Sequence, residues 1–168
     1  YGDWSSDVCS SDLDHQAQAN AAWREFRQLN GSDDEPEASH SRLRLGHSLG
    51  CKLQLLAPDG GRRCSGLVAL AFNNFSAERS VPLLAELGTQ FNVRSEFSPS
   101  PQETLDQVSS RYRQPRNLVV RFSDDRLDQS RRLMSVLRER PEDASEALEL
   151  PGDHLSPASG GLRRQLLG

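Results

Sequence analysis

The chain has 168 residues, 35% apolar, 26% charged and 6% aromatic, with 20 basic against 24 acidic side chains and a formal net charge of −4. That length suits about one domain. No run reaches the roughly 18 apolar residues of a membrane-spanning helix, the three cysteines make no even disulfide framework, and a negative balance argues against a nucleic-acid surface.

In chain order, the stretch Asp3 to Leu13 (DWSSDVCSSDL) has neither a helical nor a strand period. It lacks the basic and apolar regions of a signal peptide. It resembles the conceptual translation of a sequencing-library adapter, so residues 1–13 are set apart as an expected artefact and the domain is expected over 14–168. The chain opens on Tyr1 and stops at Gly168, inside the amphipathic fragment Leu162–Leu167. Truncation on both sides is therefore expected.

Ala22, Phe26 and Leu29 are spaced i, i+4, i+7 and predict a helix over 14–29, stopped by Asn30-Gly31. An acidic loop (SDDEPEAS) follows, and alternation of Leu43 and Leu45 with Arg42 and Arg44 predicts a short strand. A helix is expected at 49–56 with Leu49, Leu53 and Leu56 on one face, then a turn at Pro58-Asp59-Gly60-Gly61. The apolar run 66–72 (GLVALAF) reads as a strand buried on both faces, and a short helix is expected over Leu83–Leu87. Ser100, Pro101 and Glu103 form a capping box with proline at the first helical position. That helix carries Leu105, Val108 and Tyr112. Asn117–Phe122 (NLVVRF) is the next buried strand, Asp128–Arg140 the next helix, and Ala147–Leu150 a last short strand. Helix and strand thus alternate from residue 14 onwards. Such alternation predicts an α/β fold, a parallel sheet with helices on its faces. Right-handed crossovers then bring every strand's C-terminal end to one edge, where ligands bind in such sheets.

Gly46-His47-Ser48-Leu49-Gly50 matches G-x-S-x-G between the predicted strand at 42–46 and the helix at 49–56. A serine on so sharp a strand-to-helix turn needs small neighbours, and side chains at positions 46 and 50 are expected to clash. Strand before and helix after is the context of a nucleophile elbow. On that motif the chain resembles the α/β-hydrolase superfamily. The resemblance implies a triad in the order Ser, Asp or Glu, His. His15 and His40 precede Ser48, and His47 is expected to point away from its hydroxyl. Only His154 lies downstream, in the loop Gly152-Asp153-His154-Leu155-Ser156-Pro157. Asp124, Asp125 and Asp128 all follow the strand 117–122. The family pattern, with the acid about three residues past the strand end, favours Asp125, with Asp128 second; helix capping is the competing role for Asp128.

More narrowly, the segments GHSLGCKLQLL, AFNNFSAERSVP, FSPSPQETL, NLVVRFSDDRLDQS and GDHLSP resemble an uncharacterised hydrolase-like family of cyanobacteria and plastids, over about residues 14–160. That resemblance implies a truncated α/β-hydrolase fold whose N-terminal strands are missing, since only one helix precedes the elbow strand. The loop that normally gives one oxyanion-hole N–H is then missing too; the other donor is the backbone N–H of Leu49. Asn73, Asn74 and Phe75 either line the site or shape a turn. The implied activity is a serine hydrolase cleaving an ester, thioester or amide of a small molecule or lipid, with the truncated chain itself expected to be a poor enzyme; the alternative is a binding or scaffold protein that keeps the fold without turnover. No cofactor, metal or nucleic-acid partner is expected. Cys51 and Cys64 fit no zinc spacing and are expected as small core residues. Arg131, Arg132, Arg138 and Arg140 are expected on a solvated helix face. A cytoplasmic or plastid-stromal location is expected.

Overall fold

The computed structural model describes residues 13–30, 42–79 and 96–158. Their elements are helix α1 (His15–Asn30), strand β1 (Leu43–His47), helix α2 (Leu49–Leu55), strand β2 (Gly66–Leu70), helix α3 (Pro101–Arg111), strand β3 (Asn117–Phe122), helix α4 (Ser130–Arg138) and strand β4 (Glu146–Leu150). The expected alternation is therefore present, with boundaries moved by one or two residues at several ends. The helix expected over Leu83–Leu87 lies outside the described residues.

The sheet has the order β1-β2-β3-β4 and every pair is parallel. The register aligns Leu45 with Val68, Val68 with Leu118 and Leu118 with Glu146. Parallel pairing puts His47, Leu70, Phe122 and Leu150 at one end of the sheet, where the connections to the following segments begin.

Because side chains alternate along a strand, the register defines two faces. On one, Leu67, Ala69 and Val119 join Cys51 and Leu55 of α2, Val108 of α3 and Leu133, Met134 and Leu137 of α4 in the main core. On the other, Leu70, Val120 and Phe122 form a smaller cluster with Ala71. That second face also carries Leu43, Leu45, Leu118, Leu148 and Leu150, all exposed.

Local chemistry explains several element ends. At the start of α3 the Glu103 N–H donates to Ser100 Oγ (3.3 Å) and the Ser100 N–H donates to Glu103 Oε2 (2.8 Å), the reciprocal pair of a capping box. The Ser100 N–H at the carboxylate, and the Ser100 hydroxyl beside it, hold Glu103 below its usual pKa. The start of β3 is fixed by Asn117, whose Oδ1 accepts from Tyr112 Oη (2.9 Å) and whose Nδ2 donates to Gln114 O (3.0 Å).

Three expected faces are different in the structure. In α1 the buried positions are His15 and Ala19, while Phe26 and Leu29 are exposed. The inward stripe is set by where α1 meets α2, not by its largest apolar side chains. In α2 the buried residues are Cys51, Lys52 and Leu55; of the expected face Leu49 is exposed, while Leu56, at the helix's C-terminal end, is buried. Arg140 is buried rather than solvated: its guanidinium donates to the carbonyls of Tyr112 and Gln114 (both 3.0 Å) and pairs with Asp143 (3.1 Å). A buried charge needs such partners, and these tie the end of α4 to the segment between α3 and β3. Arg131, Arg132 and Arg138 are exposed as expected.

Candidate active site

Ser48 sits between β1 and α2 with φ 55° and ψ −123°, a left-handed backbone that a side chain adopts only under constraint. Its N–H donates to Leu70 O (2.9 Å) and its carbonyl accepts from Cys51 N (3.1 Å). Leu70 O also accepts from Cys51 Sγ (3.3 Å), so the end of β2 pins both the serine and the first turn of α2. Gly46 makes this turn possible: a Cβ there would lie 2.7 Å from Cys51 Cα and N. Gly50 differs from expectation. A Cβ at Gly50 meets nothing within 4 Å, so no described neighbour requires glycine there.

The structure brings Ser48, His154 and Asp125 together at the C-terminal end of the sheet. His154 Nε2 is 2.8 Å from Ser48 Oγ, and His154 Nδ1 is 2.8 Å from Asp125 Oδ2. With a carboxylate on Nδ1, that nitrogen carries the proton and Nε2 is free to accept from the serine hydroxyl. The Asp125 side chain is 0% exposed, and its second oxygen accepts from Leu127 N (2.7 Å). Both carboxylate oxygens are thus occupied and the ring is held in one orientation. His154 itself is buried at 9% exposure.

The other carboxylates stand elsewhere. Asp128 accepts from Ser130 Oγ (2.5 Å) and Ser130 N (3.3 Å) at the start of α4. Burial, with Asp125 adding repulsion, raises its pKa above the usual carboxylate range. Asp124 is exposed, and its N–H donates to Gly152 O (2.9 Å), which joins the β3–α4 connection to the histidine loop. Leu49 directly follows Ser48 as the first residue of α2.

The turn after β2 is shaped by its own polar groups. Asn73 Oδ1 accepts from Phe75 N (3.3 Å), Asn74 N donates to Gln129 Oε1 (3.0 Å) and Asn74 Nδ2 donates to Pro101 O (2.8 Å). Cys51, three residues past Ser48, is fully buried, and burial pushes its thiol up to about 12. Cys64 is buried too. Among the described residues no three His, Cys, Asp or Glu side chains group as a metal site. No described helix is long and apolar enough to cross a membrane.

One contact at the site adds a partner that the sequence reading did not name. His47 Nε2 lies 2.7 Å from the carbonyl oxygen of His154, with the two rings 5.2 Å apart. The side chain turns towards the histidine loop. Nothing in the spacing of the motif signalled this, because the partner is a backbone atom 107 positions away.

A family model described as "Protein of unknown function (DUF1350)" matches residues 7–167. The chain belongs to this family. No curated protein matches the chain. Solved structures give its fold. YbtT, a type II thioesterase from the yersiniabactin biosynthetic pathway, is similar with a TM-score of 0.52 at 16% identity, over 92% of this chain and 73% of that one. An α/β hydrolase from the metagenome of lagoon sediments at Mar Chica, Morocco, has a TM-score of 0.53 at 15% identity, over 92% and 68%. The S-formylglutathione hydrolase FrmB of Staphylococcus aureus has a TM-score of 0.53 at 20% identity, over 92% and 64%. The DUF1350 chain therefore has an α/β-hydrolase fold and spans about two thirds to three quarters of the length of these structures.

Proposed function

We propose that the chain is a serine hydrolase that cleaves an ester, thioester or amide of a small molecule or lipid. The supporting observation is the hydrogen-bonded series Ser48 Oγ, His154 Nε2, His154 Nδ1, Asp125 Oδ2, with both contacts at 2.8 Å. That is within the reach needed for a nucleophile and its base.

In this reading Ser48 Oγ attacks the acyl carbon while His154 Nε2 takes the hydroxyl proton. The carbonyl oxygen of the tetrahedral intermediate becomes an oxyanion, and the N–H of Leu49 is the donor proposed for it. Collapse breaks the bond to the leaving group, which receives the proton from His154. Water then repeats the sequence on the acyl-serine, and the acid is released. Asp125 stays ionised, holds the imidazole tautomer and stabilises the imidazolium. Cys51 has no part in the reaction: a thiol held near 12 is protonated at neutral pH, and only the thiolate is strongly nucleophilic.

Reaction with a fluorophosphonate probe tests this directly. The expected result is stoichiometric labelling of Ser48, lost in Ser48→Ala and kept in Cys51→Ala. Absence of labelling in the folded wild type would favour the binding or scaffold alternative. Equal labelling of wild type and Ser48→Ala would remove the elbow from the mechanism.

A further inference from the structure

The ring of His154 must reach Ser48 from the far side of the sheet. β1 and β4 are the two outer strands of the described sheet, and the histidine loop leaves β4 while the serine follows β1. Within the loop, Asp153 Oδ1 accepts from Leu155 N (3.1 Å) and Ser156 Oγ (2.9 Å), which sets the local turn. Asp124 N–Gly152 O (2.9 Å) and Asp125–His154 attach the loop to the end of β3. Towards β1 and the elbow, two bonds are seen. One is Ser48 Oγ to the ring, and the other is His47 Nε2 to the His154 carbonyl (2.7 Å).

We propose that His47 is a positioning residue for His154, its ring N–H anchoring the histidine's backbone to the strand that carries the serine. This rests on the serine-hydrolase reading above. The two bonds towards β1 do not have equal lives in that reaction. The Ser48–His154 bond is consumed when the hydroxyl proton transfers, and an acyl-serine has no O–H to restore it. Throughout the acyl stage, Asp125 alone would hold the imidazole, from the β3 side. A carbonyl oxygen can only accept, so His47 must present an N–H at Nε2. That bond involves no atom that reacts and can persist through both half-reactions. His47 is also covalently bonded to Ser48, so the anchor fixes the base relative to the nucleophile's own backbone. The sheet register agrees: His47 pairs with Leu70 and lies on the face opposite the main helix core, where its ring meets the His154 loop.

The test uses the full chain with His47→Phe, which keeps a ring but has no N–H, and His47→Gln, whose amide N–H has similar reach. Two quantities are read: the second-order rate of fluorophosphonate labelling, and the low-field proton resonance of His154 Nδ1–H, assigned by its loss in Asp125→Asn. His47→Phe should label about 10–100-fold more slowly, since a displacement of about 1 Å costs up to about 10² in rate. Its low-field resonance should broaden. His47→Gln should restore the sharp resonance and bring the rate to within about threefold of wild type, as a matching N–H permits the same near-attack geometry. Should His47→Phe not fold, His47→Met, similar in length to Gln without the donor, takes its place with the same expectation. A folded donor-free variant with unchanged rate and resonance overturns the proposal, and so does failure of His47→Gln to recover either. A resonance that follows the donor in a wild type that never labels keeps the positioning role and removes the hydrolase reading instead.

Discussion

A methyl group at residue 46 and one at residue 50 have opposite consequences, although the motif treats the two glycines alike. At Gly46 the new Cβ would meet backbone atoms of Cys51 at 2.7 Å, which only a shift of α2 against β1 can relieve. Gly46→Ala should therefore destabilise by about 1–3 kcal/mol, the usual cost of overpacking. It should also slow serine labelling, because the shift moves Ser48. At Gly50 the space is open and the residue lies inside α2. There alanine should stabilise by about 0.5–1 kcal/mol through helix propensity. Denaturant melts of the two variants check the contrast; equal destabilisation by Gly50→Ala would show that a group packs there in solution. The carboxylates separate in the same way. Asp125→Asn keeps the shape but reverses the tautomer preference of His154, and labelling should fall by up to about 10⁴. Asp128→Asn should leave the labelling rate nearly unchanged and only weaken the start of α4. If Asp128→Asn gave the larger loss, the acid would be misassigned.

Where α1 meets α2 and the segment before α3, two buried basic groups face each other. The His15 ring packs on Phe97 with centroids 4.4 Å apart. Lys52 Nζ donates to Pro99 O (2.8 Å), and Gln16 Nε2 donates to Leu56 O (3.0 Å). Burial first, and the Lys52 charge second, lower the His15 pKa to about 4, against an ordinary 6.5. Burial likewise brings Lys52 down to about 8. For His15 the unfolded chain binds the extra proton between these two values, so stability rises with pH from about 4 to 6.5 and is lost as pH falls through that window. His15→Gln should flatten that part of the stability curve, checked by urea melts at pH 4.5 and 7; an unchanged slope would mean that the ring is solvated. None of this junction was legible beforehand. The apolar spacing of Ala22, Phe26 and Leu29 named the wrong stripe of α1, because a histidine and an alanine fill the contact and the pairing with α2 is tertiary. Elements whose signal is local were legible: the capping box at Ser100, the apolar strand Asn117–Phe122 and the G-x-S-x-G turn. Two groups escaped because their partners are distant backbone atoms. Arg140 is held by the carbonyls of Tyr112 and Gln114, and His47 by that of His154. The resemblance, through its triad order and acid position, favoured Asp125 over Asp128 and pointed to His154, but only the fold sets their distances to Ser48.

The two faces of the sheet make very different demands on the chain. Towards the helices, Leu133, Leu137 and Val108 are 0% exposed and pack with Leu67 and Val119 of the strands. Truncating Leu133 to alanine removes transfer energy and leaves a cavity enclosed by α4 and the sheet, so a loss of about 2–5 kcal/mol is expected. On the opposite face Leu43 and Leu45 are 67% and 61% exposed, and Leu148 is 43% exposed. Little of their surface is withdrawn from water, and apolar stabilisation scales with the area removed, at about 25 cal/mol per Å². Leu45→Ala should therefore cost well under about 1 kcal/mol, chiefly through lower strand propensity. Leu45→Thr, which introduces the β-branched shape favoured in strands, should be close to neutral. The comparison is made by equilibrium denaturation of all three variants in dilute solution. A Leu45→Ala loss as large as that of Leu133→Ala would show this face covered in solution, and the same melts repeated across protein concentration would tell whether a second chain or the chain itself covers it. A small Leu45 loss beside a large Leu133 loss would show that the stability of the α/β-hydrolase sheet, and with it the placement of Ser48, Asp125 and His154 at its C-terminal end, is carried by the α2–α4 side.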